Sequence, residues 1–219
     1  MKTELCIFDL DGTLLDTIDD IANSMNRLLN ANGYPTRSVK WYKDSVGNGA
    51  KNLLLDSLPA EHGLSDEKVG ELLKIFKEDY HDNCAVLTKP YDGIPELLSY
   101  LVENAVKIAV ITNKLQSITE TMLKRYFEEI EFIAIYGDNL NKPIKPDPIV
   151  AETVLAIAKS TPDQSIYIGD SEIDMLFAQR SSIFSIGVLW GFRDRSVLEG
   201  HGANAIVEKP VQIIEHIIR

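Results

Sequence analysis

Short runs of apolar residues alternate along the chain with longer segments in which apolar residues recur every three or four positions. Residues 4–9, then "VKIAVIT", "EFIAIYG", "SIYIG" and "FSIGVL", predict buried strands, and "NAIV" predicts a weaker one. The segments between them, such as "GIPELLSYLVENA", "SITETMLKRYF" and "DPIVAETVLAIAKS", predict helices, and "PVQIIEHIIR" predicts a closing helix. This alternation is typical of an α/β fold with a doubly wound, mostly parallel sheet that is covered on both faces.

One long segment departs from the alternation. Residues 16–87 carry only helical periodicity, beginning with "DTIDDIANSMNRLLNANG", whose end is marked by Asn32 and Gly33. "SDEKVGELLKIFKEDYHDN" predicts a further helix with Ser65 as its N-cap. We therefore expect an α-helical domain at 16–87, inserted into an α/β core formed by residues 1–15 and 88–219. An insertion of this size after a core strand commonly acts as a cap over the binding site.

Composition narrows the class of protein. The chain of 219 residues has 33 acidic and 22 basic residues and a formal net charge of -11, which argues against a nucleic-acid surface. No run of about 18 apolar residues is present, and the N-terminus does not resemble a signal peptide. Cys6 and Cys84 have no metal-ligand spacing, so reduced thiols are expected. We expect a cytoplasmic protein that binds neither membranes nor nucleic acid.

Polar residues follow several of the predicted strands. In an open α/β sheet, ligands bind outside the carboxyl ends of the parallel strands, so these residues are expected to meet at one edge. The first strand ends in "DLDGT", the second in "TNK" and the fourth in "GDSEID", while "KPIKPDP" lies in a loop before a helix. The candidate site residues in these segments are Asp9, Asp11, Thr112, Asn113, Lys145, Asp170 and Asp174.

These residue types suit phosphoryl transfer. Carboxylates that share one spot repel each other unless a cation lies between them, and Asp9 and Asp170 are the expected ligands of Mg²⁺. One carboxylate can then attack phosphorus, and a second, two residues on, can protonate the leaving alcohol. Lys145 would supply positive charge to the phosphate oxygens, and Thr112 a hydrogen bond.

The segments "FDLDGTLLDT", "VITN", "KPDP" and "GDSEID" occur in the order found in the haloacid dehalogenase superfamily. The chain resembles its phosphatase branch, and the helical insertion resembles that of phosphoglycolate phosphatase-like members. The resemblance implies a Rossmann-like core and a Mg²⁺ ion. It implies that Asp9 is the nucleophile and that Asp11 is the general acid/base, with its backbone carbonyl on the metal. The remaining implied roles are phosphate binding by Thr112, Asn113 and Lys145, metal ligation by Asp170 and support of the metal shell by Asp174.

Other interpretations of single residues stay open at this stage. Lys145 alone could be a solvated loop lysine. Asp170 could be the N-cap of the following helix, and Asp174 an exposed helix residue. In the cap, "SVGNGAKNLLLD" makes Asn48 and Lys51 candidates for substrate specificity, although a plain turn between helices accounts for the pattern equally well. The segment "WGFRD" follows a strand, and the sequence assigns it no role.

Three functions are compatible with these motifs. The first is a Mg²⁺-dependent phosphatase that acts on a small phosphorylated metabolite such as 2-phosphoglycolate through an aspartyl phosphate. The second is a sugar phosphomutase of the β-phosphoglucomutase type, which uses the same intermediate. The third is a phospho-accepting switch of the receiver type, which needs neither Asp11 nor a helical insertion. The motifs do not distinguish a monomer from a homodimer.

Overall fold

A computed structural model describes residues 3–139 and 142–217 of the chain. The strands are β1 (Leu5–Phe8), β2 (Leu15–Asp16), β3 (Lys89–Pro90), β4 (Lys107–Leu115), β5 (Ala134–Asp138), β6 (Ser165–Gly169), β7 (Phe184–Val188) and β8 (Ala205–Val207). The helices are α1 (Ile18–Ala31), α2 (Val39–Ser45), α3 (Ala50–Ser57), α4 (Asp66–Asn83), α5 (Ile94–Glu103), α6 (Gln116–Tyr126), α7 (Ile149–Ala158), α8 (Glu172–Arg180), α9 (Arg195–Gly200) and α10 (Ile214–Ile217).

Six strands form one sheet in the order β5-β4-β1-β6-β7-β8, while β2 and β3 pair with each other. Every neighbouring pair in the larger sheet is parallel. The predicted α/β fold with a mostly parallel sheet is therefore confirmed. Because β1 lies between β4 and β6, the chain that follows β1 is adjacent to the ends of both neighbours.

The side chains of β1 show why this sheet is covered on both faces. Leu5 and Ile7 are buried in one cluster with Val154 of α7 and Phe177 of α8. Successive side chains of a strand point to opposite faces, so Cys6, between them, belongs to the other face, and it is also fully buried. An unbroken apolar run is what a strand buried on two sides requires.

The chain divides into two compact units, one of which is Thr17–Lys89. The described residues before and after it form the other unit, which contains the six-stranded sheet. Within Thr17–Lys89, α1 buries the apolar residues that recur at helical spacing, and its C-cap is Asn32. The side chain of Ser65 accepts a hydrogen bond from Lys68 N, so the predicted N-cap of α4 is confirmed.

A buried carboxylate joins the beginning and the end of the helical unit. Asp20, on α1, is 3% exposed and accepts hydrogen bonds from the backbone N–H groups of Val86, Leu87 and Thr88, at 2.8 to 3.1 Å. The hydroxyl of Thr88 donates to the same carboxylate at 2.8 Å. The negative charge of Asp20 is thus satisfied by four donors from one short segment.

The structure corrects some local predictions. The closing helix begins as a 3-10 turn over Pro210–Ile213, where the side chain of Gln212 accepts from the backbone N–H of Lys209 at 2.9 Å. Strand β4 continues through three polar residues to Leu115, because backbone pairing with β5 resumes there. The short helices α2 and α9 had no clear apolar periodicity in the sequence.

Cys6 and Cys84 are both buried, and neither forms a disulfide among the described residues. Burial raises the pKa of the Cys6 thiol to about 12, so this thiol stays protonated and unreactive at neutral pH. Among the described residues, none of the helices is both long enough and apolar enough to span a bilayer.

Candidate active site

Segments from four parts of the chain meet at the carboxyl ends of β1, β4 and β6. The backbone N–H of Asp9 donates to the carbonyl of Ile168 in β6 at 2.9 Å. The side chain of Asn113 spans the distance to the loop before α7, donating to Lys145 O at 3.0 Å and accepting from Lys145 N at 2.9 Å. The sheet therefore brings together residues more than 100 positions apart, and a compact polar site results.

A local irregularity of β4 turns its polar residues toward this edge. Ile111 of β4 pairs with Tyr136 of β5, and Leu115 pairs with Asp138, so the register shifts between these two positions. Four residues of β4 thus advance against two of β5. Residues 112–114 occupy the resulting bulge, and bulges commonly redirect side chains next to active sites.

Three acidic side chains form the centre of the site. Asp9, Asp170 and Asp174 are all buried, and one carboxylate oxygen from each lies within 4.8 Å of the others. Burial and the neighbouring charge of Asp174 raise the pKa of Asp9 to about 7, although Lys145 opposes the shift. Burial, followed by the charges of Asp174 and Asp9, also raises the pKa of Asp170 well above its usual value. The protein alone does not fully stabilise this concentration of negative charge.

Lys145 supplies the positive charge of this cluster. It is 4% exposed, and its Nζ lies 2.9 Å from Asp9 Oδ1, 2.7 Å from Asp174 Oδ1 and 2.9 Å from the hydroxyl of Tyr167. Burial alone would lower the pKa of Lys145, but the attraction of Asp174 and Asp9 outweighs it and raises that pKa. The interpretation of Lys145 as a solvated loop lysine is wrong.

Thr112 and Asn113 lie beside the cluster in the β4 bulge. Both are nearly buried, and the hydroxyl of Thr112 accepts from the backbone N–H of Lys114 at 3.3 Å. The amide of Asn113 forms the two hydrogen bonds to the Lys145 backbone described above. Asn113 therefore fixes the segment that carries the lysine, and direct phosphate binding by Thr112 and Asn113 stays a prediction.

The carboxylate of Asp174 is surrounded by donors. Its Oδ1 accepts from Lys145 Nζ at 2.7 Å and from the Tyr167 hydroxyl at 2.9 Å. Its Oδ2 accepts from Asp170 N at 3.2 Å, Ser171 N at 3.0 Å and Ser171 Oγ at 2.6 Å. Five donors occupy the lone-pair sites that two carboxylate oxygens offer. Asp174 thus holds Lys145, Tyr167 and the Asp170–Ser171 backbone in place. It is fully buried, so its interpretation as an exposed helix residue is wrong.

The same carboxylate helps to start α8. Ser171 is the N-cap, and its hydroxyl accepts from Asp174 N at 3.4 Å. The Asp174 carboxylate in turn accepts from the backbone N–H of Ser171, and the two hydrogen bonds form a capping box. The interpretation of Asp170 as the N-cap is therefore corrected by one position. Capping leaves the Asp170 carboxylate available to face the cluster.

The backbones of two glycines lie close to the Asp170 side chain and restrict its position. A Cβ at Gly12 or at Gly191 would overlap the Asp170 side chain. Gly12 also has φ of 83°, in the left-handed region that favours glycine. Thr13 Oγ1 donates to Asp170 Oδ1 at 3.3 Å, and the backbone N–H of Phe192 donates to Asp170 Oδ2 at 2.7 Å. Each oxygen of Asp170 keeps a lone pair beyond these bonds.

The "WGFRD" segment, to which the sequence assigned no role, thus forms a wall of the site. Besides the contacts of Gly191 and Phe192, the Trp190 indole donates to Thr13 O at 3.0 Å. Arg193 forms a two-contact ion pair with Glu172 at 2.7 and 3.2 Å. The signal in the sequence was Gly191, which follows β7, the strand after the "GDSEID" motif. This signal for a site residue is weak, because a glycine after a strand usually marks only a turn.

A second lysine was also missed. Lys114 Nζ lies 2.8 Å from Asp11 Oδ1 and 3.1 Å from Asp11 Oδ2. The Lys114 side chain is 5% exposed and that of Asp11 is 20% exposed. The signal was its position two residues after Thr112 at a strand end, but lysine there is usually a solvated residue.

The donor set of the cluster fits a hard divalent cation. Asp9 Oδ1 is buried and accepts no hydrogen bond of good geometry, although Lys145 Nζ is 2.9 Å away. Asp170 retains lone pairs, whereas those of Asp174 are taken by its five donors. All available donors are carboxylate oxygens, the ligands that Mg²⁺ or a similar ion prefers. The described residues therefore suit a metal between Asp9 and Asp170.

The predicted specificity residues Asn48 and Lys51 lie in the Thr17–Lys89 unit. Asn48 O accepts from the side chain of Asn52 at 2.8 Å, and Lys51 is exposed in the first turn of α3. Their role stays a prediction.

Comparison with known proteins bears on the same segments. The pattern that defines the family described as haloacid dehalogenase-like hydrolase matches residues 6–188. Phosphoglycolate phosphatase 1 of Pseudomonas aeruginosa is 32% identical over 97% of this chain and 76% of its own length. N-acetylmuramic acid 6-phosphate phosphatase from the same organism is 30% identical over 100% of this chain and 96% of its own length.

A solved structure agrees over the whole fold. A protein from Lactobacillus delbrueckii is 29% identical and superposes with a TM-score of 0.89, covering 100% of this chain and 99% of that one. The sheet, the order of the strand-end motifs and the family match are consistent with one another. The chain belongs to the haloacid dehalogenase-like hydrolase family.

Proposed function

We propose that the protein is a Mg²⁺-dependent phosphatase that hydrolyses small-molecule phosphate monoesters through an aspartyl phosphate on Asp9. The observation that carries the proposal is the buried cluster of Asp9, Asp170 and Asp174 with Lys145 among them. A purely structural cluster would be expected to give every buried oxygen a hydrogen bond, whereas Asp9 Oδ1 lacks a well-formed one although Lys145 lies 2.9 Å away.

The first step transfers the phosphoryl group to the protein. An oxygen of Asp9 attacks phosphorus, the bond from phosphorus to the ester oxygen breaks, and Asp11 delivers a proton to the departing alcohol. Lys145, held by Asp174 and Tyr167, keeps a positive charge beside Asp9 throughout the transfer.

The second step regenerates the enzyme. Asp11 accepts a proton from a water molecule, whose oxygen attacks phosphorus while the bond from phosphorus to Asp9 breaks. Inorganic phosphate leaves, and Asp9 is again a carboxylate. Thr112 and Asn113, beside Lys145, would donate hydrogen bonds to the phosphoryl oxygens.

The metal would be held by Asp9, Asp170 and the backbone carbonyl of Asp11. When bound, Mg²⁺ neutralises charge on the phosphoryl oxygens and so makes attack by an anion possible. The role of the protein is to hold Asp170 rigidly, which Gly12, Gly191 and the Phe192 N–H accomplish.

The substrate belongs to the class of small phosphorylated metabolites. Relatives named for phosphoglycolate and for N-acetylmuramic acid 6-phosphate match this chain at 32% and 30% identity, which supports the class more strongly than either member. We propose that the Thr17–Lys89 unit acts as a cap and selects among them through Asn48 and Lys51. If so, Lys51→Ala raises KM for a substrate that carries a carboxylate besides its phosphate, such as 2-phosphoglycolate, and leaves kcat for p-nitrophenyl phosphate unchanged.

The test is phosphate release from a panel that includes 2-phosphoglycolate, N-acetylmuramic acid 6-phosphate and p-nitrophenyl phosphate, with Mg²⁺ and with EDTA. We expect turnover only with the metal. Asp9→Asn should abolish it for every substrate and leave the circular dichroism spectrum unchanged. Asp163→Asn, at an exposed acid, is the matched control. Substantial turnover by Asp9→Asn would exclude the covalent mechanism.

A phosphomutase would use the same intermediate, so the panel must separate the two reactions. A sugar phosphate is supplied with a trace of its bisphosphate, and isomerisation and phosphate release are both measured. The phosphatase proposal predicts net phosphate release. Isomerisation without release would instead identify a mutase.

A further inference from the structure

We propose that Lys114 is a positioning residue that holds Asp11 in place for the second step, the hydrolysis of the phosphoenzyme. The inference rests on the proposed function, because it assigns Asp11 to proton transfer. It concerns a residue that the strand-end motifs do not include.

The geometry singles out the pair. Lys114 Nζ reaches both oxygens of Asp11, at 2.8 and 3.1 Å. The two residues are 103 positions apart, and the β4 bulge places Lys114 at the same strand-end edge as Thr112. The lysine side chain is 5% exposed, so little water competes for its protons. A contact to both oxygens restricts the carboxylate more than a single bond would.

The leaving group of the substrate determines which step shows the effect of this pair. An ammonium offers only donors, so Lys114 holds both Asp11 oxygens as acceptors in one orientation. A leaving group that departs without a proton needs no help from Asp11 in the first step, whereas the water molecule of the second step must give up a proton. With such a substrate, loss of the orientation of Asp11 slows phosphoenzyme hydrolysis more than phosphoenzyme formation.

A structural role alone does not account for this arrangement. Lys145 already provides the positive charge next to Asp9 and Asp174, with which it forms ion pairs. A nearly buried ion pair is often no more stabilising than an apolar pair of equal volume. What this pair supplies is a fixed orientation for the Asp11 carboxylate.

Hydrolysis of the phosphoenzyme transfers one proton to Asp11. The water oxygen forms a bond to phosphorus, the bond from phosphorus to the Asp9 oxygen breaks, and Asp11 takes one proton from the water. Misorienting a catalytic group typically costs about 10²-fold in rate. Loss of Lys114 should therefore slow this step by about 10²-fold and formation of the phosphoenzyme by much less.

The experiment uses Lys114→Met with p-nitrophenyl phosphate, whose leaving group departs without a proton. Rapid-quench kinetics measure the first turnover, and intact mass spectrometry of the quenched enzyme measures the phosphorylated fraction. We expect a burst of nitrophenolate that approaches one equivalent, a slow steady state and a phosphorylated fraction well above that of the wild type. Lys114→Arg, which keeps both donors, should restore the steady state in part.

Lys107→Met is the matched control. It removes a partly buried lysine from the opposite end of β4, where Nζ donates to Ala158 O at 2.6 Å. It should lower stability without changing the ratio of the two rates. If Lys114→Met does not fold, Lys114→Gln makes the same measurement possible.

The outcomes separate the two proposals. If the wild type lacks phosphatase activity, or Asp9→Asn retains it, the proposed function fails. If the wild type turns over through a phosphoenzyme and Lys114→Met slows both phases equally or leaves both unchanged, the role of Lys114 is overturned and the phosphatase remains.

Discussion

Replacing Asp174 by Asn removes the acceptor on which the site is organised. The carboxylate accepts five hydrogen bonds from Lys145, Tyr167, Ser171 and the Asp170 backbone. The amide of Asn has only one oxygen, so it can accept hydrogen bonds from only one of the two groups of donors that surround Asp174. Its NH₂ group must then face the donors of the other group. Breaking a buried charged pair in this way costs about 3–5 kcal/mol.

Relief of repulsion offsets part of that loss. The pKa of Asp9 is raised from 3.8 to about 7, which corresponds to about 4 kcal/mol. Burial is the largest cause and Asp174 the second, so removal of Asp174 returns only part of this amount. We therefore expect Asp174→Asn to lower the free energy of unfolding by about 2–3 kcal/mol.

The assay is urea unfolding in EDTA at neutral pH. The chain has two tryptophans, and Trp41→Phe leaves Trp190, in the unit that carries Asp174, as the only tryptophan, which is excited selectively at the red edge of tryptophan absorption. Coincidence of fluorescence with circular dichroism tests whether unfolding is two-state. Asp163→Asn in the same background should change stability by less than about 0.5 kcal/mol. A loss below about 1 kcal/mol for Asp174→Asn would show that the five hydrogen bonds to the Asp174 carboxylate do not stabilise the fold as a unit.

Three further predictions test other contacts. Asp20→Ala should destabilise the protein by about 2–3 kcal/mol, because it removes an acceptor for four donors, and thermal unfolding measures the loss. Gly191→Ala forces a methyl group against Asp170 and should cost about 1–3 kcal/mol and weaken Mg²⁺ binding in calorimetry, whereas Gly70→Ala, with open space around its Cβ, should be neutral or stabilising. Mg²⁺ at a hundredfold excess over its Kd should stabilise the wild type by about 2.7 kcal/mol and Asp9→Asn by much less; equal Tm shifts would contradict the assigned ligands.

The sequence predicted the sheet and the central residues of the site for physical reasons. Apolar runs such as Leu5–Phe8 are readable because burial on two faces requires them. A parallel sheet necessarily aligns the carboxyl ends of its strands, so the sequence predicted Asp9 and Asp170 at the same edge. That β1 and β6 are neighbours is a finding of the structure. These inferences depend on the backbone and hold for any side-chain arrangement.

Contacts that depend on local packing could not be predicted from the sequence. The bulge that redirects residues 112–114 has no apolar signature, since it arises from pairing between β4 and β5. Likewise, Gly191 and Phe192 reach Asp170 from more than 20 positions away through the loop after β7. Lys114 illustrates the consequence, because a lysine next to a site motif has no distinguishing feature until its partner is known.

Charge balance connects these separate contacts to the proposed chemistry. Asp9, Asp11, Asp170 and Asp174 bring four carboxylates to the strand ends, and Lys114 and Lys145 bring two ammonium groups. With all four carboxylates ionised, two negative charges remain, which is the charge that one divalent cation neutralises. Without a cation, burial and mutual repulsion instead raise the pKa of Asp9 and of Asp170. A phosphate monoester adds negative charge of its own, so without the metal the site would repel its substrate. The two lysines cannot substitute for the metal, because each is already paired with a carboxylate. If the cluster holds a divalent cation as proposed, we expect metal binding to precede productive binding of phosphate.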